Sequence, residues 1–375
     1  MVKIVNSNRE EFGRYIKEQG KHLYFWGAGV MLQICFEQLL QEYNIAGNIF
    51  CITDTVFGGS NKEVVLANRK IKVDSVKSFM KNLYDDKKAV IVITCSFFGE
   101  ILKFLDLAIE DNEVECFIAP LIYLENSTQE IINLKFRNEK LIPPIIHYCW
   151  FGEKELPEKS KNCIESWKKY CPNYEIKRWD ESNIDLESNR WIREAYRNKE
   201  WAFVSDYVRL KVLYEHGGIY LDTDVEMIQS FDDLRSLKAF GGFERWPVLN
   251  TGGGCGSIPG FWLWKEIMEL KDKAMDKVEN ILVPKASGYY DTLPLLNRGL
   301  KTDGNLQNID DFTILPSEFF HPRDYVSCTE QRTVNTHSIH YFNWSWADEV
   351  MNNGKIAGET YYKRILNRSV KIYNN

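Results

Sequence analysis

Two carboxylates separated by one residue, Asp222 and Asp224, follow an apolar run from Gly218 to Leu221. A strand sends successive side chains to opposite faces, so residues two apart point the same way. Read as a strand end, this spacing lets both carboxylates converge on one hard cation. Such a cation takes oxygen ligands and leaves positions open for phosphate. Just upstream, Asp206 and Arg209 stand three apart in an apolar stretch from Phe203 to Glu215, predicted to be helical, and so share a face. An arginine there can grip a diphosphate or fix a carboxylate. Taken alone, the carboxylate pair also suits a solvated strand end, and the Asp206/Arg209 pair a surface salt bridge.

A second candidate lies near the start. Gly27-Ala28-Gly29 sits between the predicted strand Leu23–Trp26 and a helical pattern from Val30 to Tyr43, with Asp54 ending the next strand. This order suits a nucleotide-binding turn, where glycines admit phosphate at a helix N-terminus. Leu32 occupies the place of the third glycine of that fingerprint, and a purely structural turn is the competing reading.

The elements that must carry these residues follow from the pattern. The 375 residues are 27% charged and 44% hydrophobic, an ordinary globular balance, with length enough for two domains. The first part alternates apolar runs (Asn48–Thr53, Ala89–Thr94, Val114–Ile118) with helical stretches, which predicts a doubly wound parallel sheet, Rossmann-like in organisation. A polar stretch, Glu125–Lys140, and then Pro143-Pro144 divide the chain into 1–138 and 139–375. The second part reads as strand Ile145–Trp150, helix Lys159–Lys169, strand Tyr174–Trp179, two helical regions over Ser188–Lys199 and Phe203–Glu215, and the strand into Asp222.

A net charge of −6 with no basic block argues against nucleic acid as a partner. The nine cysteines are scattered without a CxxC pair, which excludes the usual zinc and redox patterns and fits a reducing cytoplasm. Aromatics reach 14%, including 11 Trp, suited to stacking on sugars or bases as well as to a large core. The segment Tyr361–Tyr373 is amphipathic and basic; it is expected to dock on the body of the protein, with peripheral membrane contact as the alternative.

Three ordered segments carry a resemblance: Ile142–Gly152 with His147, Tyr148 and Trp150; Ser166-Trp167 to Trp179; and Trp201–Asp224. Together they resemble a family 32 glycosyltransferase, the capsular-polysaccharide and mannosyltransferase-like enzymes with a DXD sugar-binding region. The resemblance spans about Leu141 to Trp346 and leaves residues 1–140 uncovered. It implies a GT-A fold, a nucleotide-sugar donor (UDP-linked in expectation), Mn2+ or Mg2+, a glycan or lipid-linked glycan acceptor, and retention of anomeric configuration. Carried over by position, Trp150 stacks on the base beside Tyr148, and Asp206 and Arg209 hold the sugar. Asp222 is shared between ribose and metal, and Asp224 bridges metal and diphosphate. Asn250, Thr251 and Gly252 line the sugar, His340 completes the metal shell, and Ser345 and Trp346 meet the leaving phosphate. His147 is expected to support the base pocket, Asp291 to face the acceptor, and His321 is given no role. The expected activity is hexosyl transfer in surface-polysaccharide synthesis. The alternatives are a toxin-like transferase acting on proteins and an NAD-dependent sugar enzyme using the glycine turn.

Overall fold

The protein is described by a computed structural model covering residues 1–96, 98–109, 114–123, 131–132, 134, 139–152, 154–276, 286–324, 329–343, 365 and 368–372. Two large sheets organise it.

The first has eight strands, in the order Val370–Lys371, Lys3–Asn6, Glu115–Ile118, Ala89–Ile93, His22–Trp26, Ile49–Thr53, Arg69–Asp74, Glu63–Leu66. All neighbours run parallel except the last pair, which form a hairpin. Every residue of Ala89–Ile93 is buried, as expected of a central parallel strand covered on both faces. The expected alternation is therefore present. The sequence pattern missed the opening strand and the helix Arg9–Gln19. That helix carries a reciprocal cap, with the Asn8 side chain taking the Glu11 N–H and Glu11 reaching back to the Asn8 N–H. The helix expected over Val30–Tyr43 is in fact a π-helical segment, Met31–Phe36, running into an α-helix, Glu37–Glu42. The wider turn, with Glu37 N–H reaching back to Leu32, buries five of the six residues from Met31 to Phe36.

The second sheet has seven strands, in the order Gln307–Ile309, Phe312–Leu315, Ala239–Phe243, Leu249–Ser257, Gly218–Tyr220, Ile145–Cys149, Glu175–Trp179. Ile145–Cys149 lies parallel to both its neighbours, whereas the long strand Leu249–Ser257 is antiparallel to its own. A two-stranded ribbon, Val225–Met227 with Ser338–His340, stands beside it. The helices expected near 159–169, 188–199 and 203–215 are Glu158–Tyr170, Arg190–Arg197 and Trp201–His216.

Contacts tie the two sheets together. Gln38 donates to the Leu300 carbonyl at 2.7 Å and accepts from the Thr302 hydroxyl at 2.9 Å. Trp246 and Val248 belong to the core of the first sheet. Arg368 donates to Asp106 at 2.5 and 2.7 Å and to the Val2 carbonyl at 2.6 Å, and Val370–Lys371 pairs with the opening strand. The described residues of the basic tail thus lie on the first sheet; the rest of Tyr361–Tyr373 is outside the described residues. No helix among the described residues is long and apolar enough to cross a membrane. The eight cysteines described are all free.

Candidate active site

The short strand Gly218–Tyr220 enters the sheet between Ile145–Cys149 and Leu249–Ser257. Gly218 has φ +90, and a Cβ there would lie 2.8 Å from the Ile145 carbonyl, so the strand can start this close only with glycine. The strand ends at Tyr220, which corrects the reading of Asp222 and Asp224 as strand residues. They lie in the turn that follows, pinned by Asp222 N–H to the Gly252 carbonyl (2.8 Å) and Val225 N–H to the Asp222 carbonyl (3.1 Å). The turn, rather than strand alternation, brings the two carboxylates together.

The ribbon then supplies the third group. Val225 is registered opposite His340, which sets His340 Nε2 3.3 Å from Asp224 Oδ1. One ligand atom from each of Asp222, Asp224 and His340 falls within 4.8 Å of the others. The second Asp224 oxygen accepts the Asn343 N–H at 2.8 Å. Burial opposes charge on Asp224, but His340 and the Asn343 N–H outweigh it and hold the carboxyl below its ordinary range. Burial likewise opposes protonation of His340, yet Asp224, Asp222 and Glu244 raise its pKa above the usual value. His340 Nδ1 is buried without a hydrogen-bond partner. Two carboxylates and an imidazole, which ligates as the neutral ring, gathered around one point form a donor set that fits a divalent cation such as Mn2+.

Arg209 is the hub beside this cluster. Its side chain is 6% exposed, and Nη2 donates to Asp206 at 2.9 Å and to Asp222 at 3.1 Å. Nη1 donates to the Thr251 hydroxyl at 3.3 Å, and the guanidinium packs 5.0 Å from the Tyr220 ring. The Tyr220 hydroxyl in turn donates to Asp222 at 3.0 Å. Burial works against the Arg209 charge, but Asp222 and then Asp206 hold its pKa well above the ordinary value.

The segment Asn250–Gly252 closes the site from the neighbouring strand. The Asn250 side-chain oxygen accepts the N–H groups of Gly252 (2.7 Å) and Gly253 (3.1 Å), and its amide donates to Glu244 at 2.5 Å. In this arrangement Asn250 shapes its own strand. A Cβ at Gly252 would sit 2.0 Å from Asp222 Oδ2 and 3.1 Å from Arg209 Nη1, so only glycine lets the strand approach the carboxylate.

The remaining expectations fall unevenly. Trp150, half-buried at the end of its strand, donates from its indole to the Lys154 carbonyl at 2.6 Å. Tyr148 is 8% exposed and packs edge-on against Trp167, ring centroids 5.7 Å apart. His147 is a fully buried latch: it contacts the Gly217 carbonyl at 2.9 Å and accepts from the Trp179 indole at 3.1 Å, and burial lowers its pKa to about 4. Ser345 and Trp346 lie outside the described residues. Asp291 does not face outward: it is 1% exposed and accepts the Thr251 hydroxyl at 2.7 Å, from behind the site. His321, given no role from sequence, is fully buried with its ring 5.4 Å from that of His340. Burial, followed by the charge on His340, holds it well below the usual histidine range. A histidine between Phe320 and Pro322 carries no local signal of such a neighbour.

At the glycine turn, Asp54 accepts the Ala28 N–H at 2.9 Å and the N–H groups of Val56 and Phe57 at 2.9 and 3.2 Å. Gln33 donates to the Ala28 carbonyl at 2.7 Å. The backbone donor that a phosphate would use and the acid that a ribose would use are bonded to each other.

The family match falls on the part of the chain that carries the second sheet. Residues 157–240 match the family described as "Glycosyltransferase sugar-binding region containing DXD motif". That span includes Asp206, Arg209, Asp222 and Asp224. Inositol phosphoceramide mannosyltransferase 3 of Schizosaccharomyces pombe is 37% identical over 107 residues, covering 26% of this chain and 29% of that protein. An uncharacterized glycosyltransferase of Acanthamoeba polyphaga mimivirus, L373, is 25% identical over 226 residues, covering 55% of this chain and 84% of that one. The chain thus spans under a third of the yeast enzyme and most of the viral protein. Among solved structures, the PaToxG glycosyltransferase overlaps 42% of this chain and 69% of its own at 21% identity and a TM-score of 0.33. The galactosyltransferase LgtC overlaps 59% and 95% at 13% identity and a TM-score of 0.31. The chain carries a sugar-binding region of the glycosyltransferase class.

Proposed function

We propose that this chain is a metal-dependent, retaining glycosyltransferase of the GT-A type. It moves a hexose from a nucleotide sugar, UDP-linked by preference, to a glycan or lipid-linked glycan acceptor of surface-polysaccharide synthesis. The supporting observation is the Asp222–Asp224–His340 cluster standing directly against the Arg209–Asp206 ion pair. A divalent cation held by Asp222, Asp224 and His340 would supply Lewis-acid neutralisation of the diphosphate.

The protein's own groups account for the rest of the chemistry. Asp206 and Arg209 offer an acceptor and a fixed donor fork to the sugar hydroxyls. The Gly252 backbone, free of a side chain, lets the ring lie close to Asp222. Trp150, at the end of the strand Ile145–Cys149, offers a stacking face for the base. Retention brings the acceptor hydroxyl to the face the phosphate leaves, so a departing phosphate oxygen takes the hydroxyl proton and no protein base is required. The carboxylates and the Arg209 cation are preorganised around the charge that develops as the glycosidic C–O bond breaks.

The test is a thermal-shift screen of the full chain with UDP- and GDP-sugars, nucleotide-free sugars and NAD, with and without manganese. Stabilisation by one nucleotide sugar that requires manganese supports the reading. Stabilisation by NAD alone would instead favour an oxidoreductase.

A further inference from the structure

Behind the Arg209–Asp206 pair, four helices converge on one buried lysine. Lys271, from the helix Trp262–Ala274, is fully buried, and its ammonium has no hydrogen-bond partner. It lies 4.7 Å from the Trp191 ring and 4.8 Å from the Tyr290 ring, which come from the helices Arg190–Arg197 and Ser287–Leu296. Burial lowers its pKa below the ordinary lysine value, while the charges of Asp206 and Asp291 favour the ammonium and that of Arg209 opposes it.

The frame around it is fixed. The next residue, Asp272, accepts from the Tyr207 hydroxyl at 3.1 Å and from Asn189 at 2.8 Å, locking Lys271's helix to the one that carries Asp206. The Trp191 indole donates to the Phe203 carbonyl at 2.9 Å. Next to Tyr290, Asp291 accepts the Thr251 hydroxyl, and Thr251 in turn accepts from Arg209.

A buried ammonium without hydrogen bonds is costly, and an unbranched apolar side chain would fill the same aromatic cage at lower cost. The cation–π contacts offset only part of that penalty. The charge therefore points to a role other than packing. We propose that Lys271 is a positioning residue for sugar recognition: caged by Trp191 and Tyr290 and countered by Asp291, it draws the Asp206 carboxylate inward against Arg209 and sets that pair for the donor's sugar. This assignment rests on the glycosyltransferase reading. It distinguishes sugar from nucleotide, because the charges coupled to Lys271 include the Asp206 and Arg209 pair assigned to the sugar.

The test compares full-length K271M and K271Q with wild type. Three quantities are read: thermal unfolding without ligand, affinity for UDP with manganese, and kcat/KM for hydrolysis of whichever nucleotide sugar the wild type hydrolyses. The expected result is unfolding at or above the wild-type temperature, UDP affinity within twofold, and kcat/KM lowered at least tenfold. Unchanged kcat/KM overturns the proposal. So does a loss shared equally by UDP affinity and stability, or unfolding of both variants, since each marks Lys271 as structural only. A thermal cycle of K271M, D291N and the double variant needs no donor, and non-additive shifts are expected. Wild type that hydrolyses no nucleotide sugar defeats the glycosyltransferase reading, while additive shifts in the cycle defeat the charge coupling separately.

Discussion

Arg209 and Asp222 form a 3.1 Å ion pair that ties the middle of the helix Trp201–His216 to the first residue of the aspartate turn. The same guanidinium nitrogen holds Asp206, so one cation orients both the acid assigned to the sugar and an acid assigned to the metal. Lysine offers a point charge without the fork and cannot also hold the Thr251 hydroxyl through a second nitrogen. R209K should fold, yet lose most donor hydrolysis. R209A leaves the two acids facing each other and should cost about 3 kcal/mol, the low end for breaking a buried pair, because the Asp222 side chain is 27% exposed. Urea unfolding and donor-hydrolysis assays of both variants check this.

The approach of Gly252 to Asp222 gives a second prediction. A methyl group 2.0 Å from the carboxylate oxygen must push the Asp222 side chain from its place. G252A should destabilise by ~1–3 kcal/mol, as overpacking does, and should weaken manganese binding, because Asp222 is the group that moves. Manganese titration followed by thermal shift would show both effects; wild-type metal affinity in G252A would contradict them.

Asp291 predicts a pH dependence of stability. Burial raises its pKa to about 6, against the opposing pull of Lys271, Thr251 and Arg209. The unfolded value is about 3.9. Between these two values the folded form holds a proton that the unfolded form has released, so this group's contribution to stability falls as pH rises from about 4 to 6. The full effect is on the order of 3 kcal/mol at 1.36 kcal/mol per unit. D291N should flatten that slope in unfolding measurements over the same window; an unchanged slope would place the effect elsewhere.

Trp150 predicts a base-specific loss. Removing an aromatic face that stacks on a base costs ~1–3 kcal/mol, roughly a fivefold to 150-fold loss of affinity. W150A should therefore raise the dissociation constant for UDP and for the intact donor by the same factor, measured by calorimetry with manganese. A loss confined to the sugar-bearing donor would remove Trp150 from the base.

Much of this architecture was legible because period and composition set it locally. Ala89–Ile93 reads as a buried parallel strand from its unbroken apolar run, and Trp201–His216 as a helix from its spacing. The helix Arg9–Gln19 was missed because its apolar positions are few, and its signature is a cap made by two polar residues. The aspartate pair was found for a partly mistaken reason: its residues converge through a turn held by Gly252, a contact across 30 positions that no local pattern encodes. Lys271 and His321 were invisible on the same grounds. Each is an ordinary residue in its own segment, and its burial near the site arises only when distant helices and strands pack together. The glycine turn shows the converse, a motif with the right order whose donor is taken by Asp54.

The central claim is that Asp224 holds a cation on which sugar transfer depends, and the most direct measurement is manganese-dependent donor hydrolysis by D224N. Asp224 accepts the Asn343 N–H and faces His340, so asparagine keeps the shape while removing the charge. The account predicts a folded variant whose hydrolysis falls to background at every manganese concentration. Turnover near wild type, or a rate indifferent to manganese in both proteins, would contradict it.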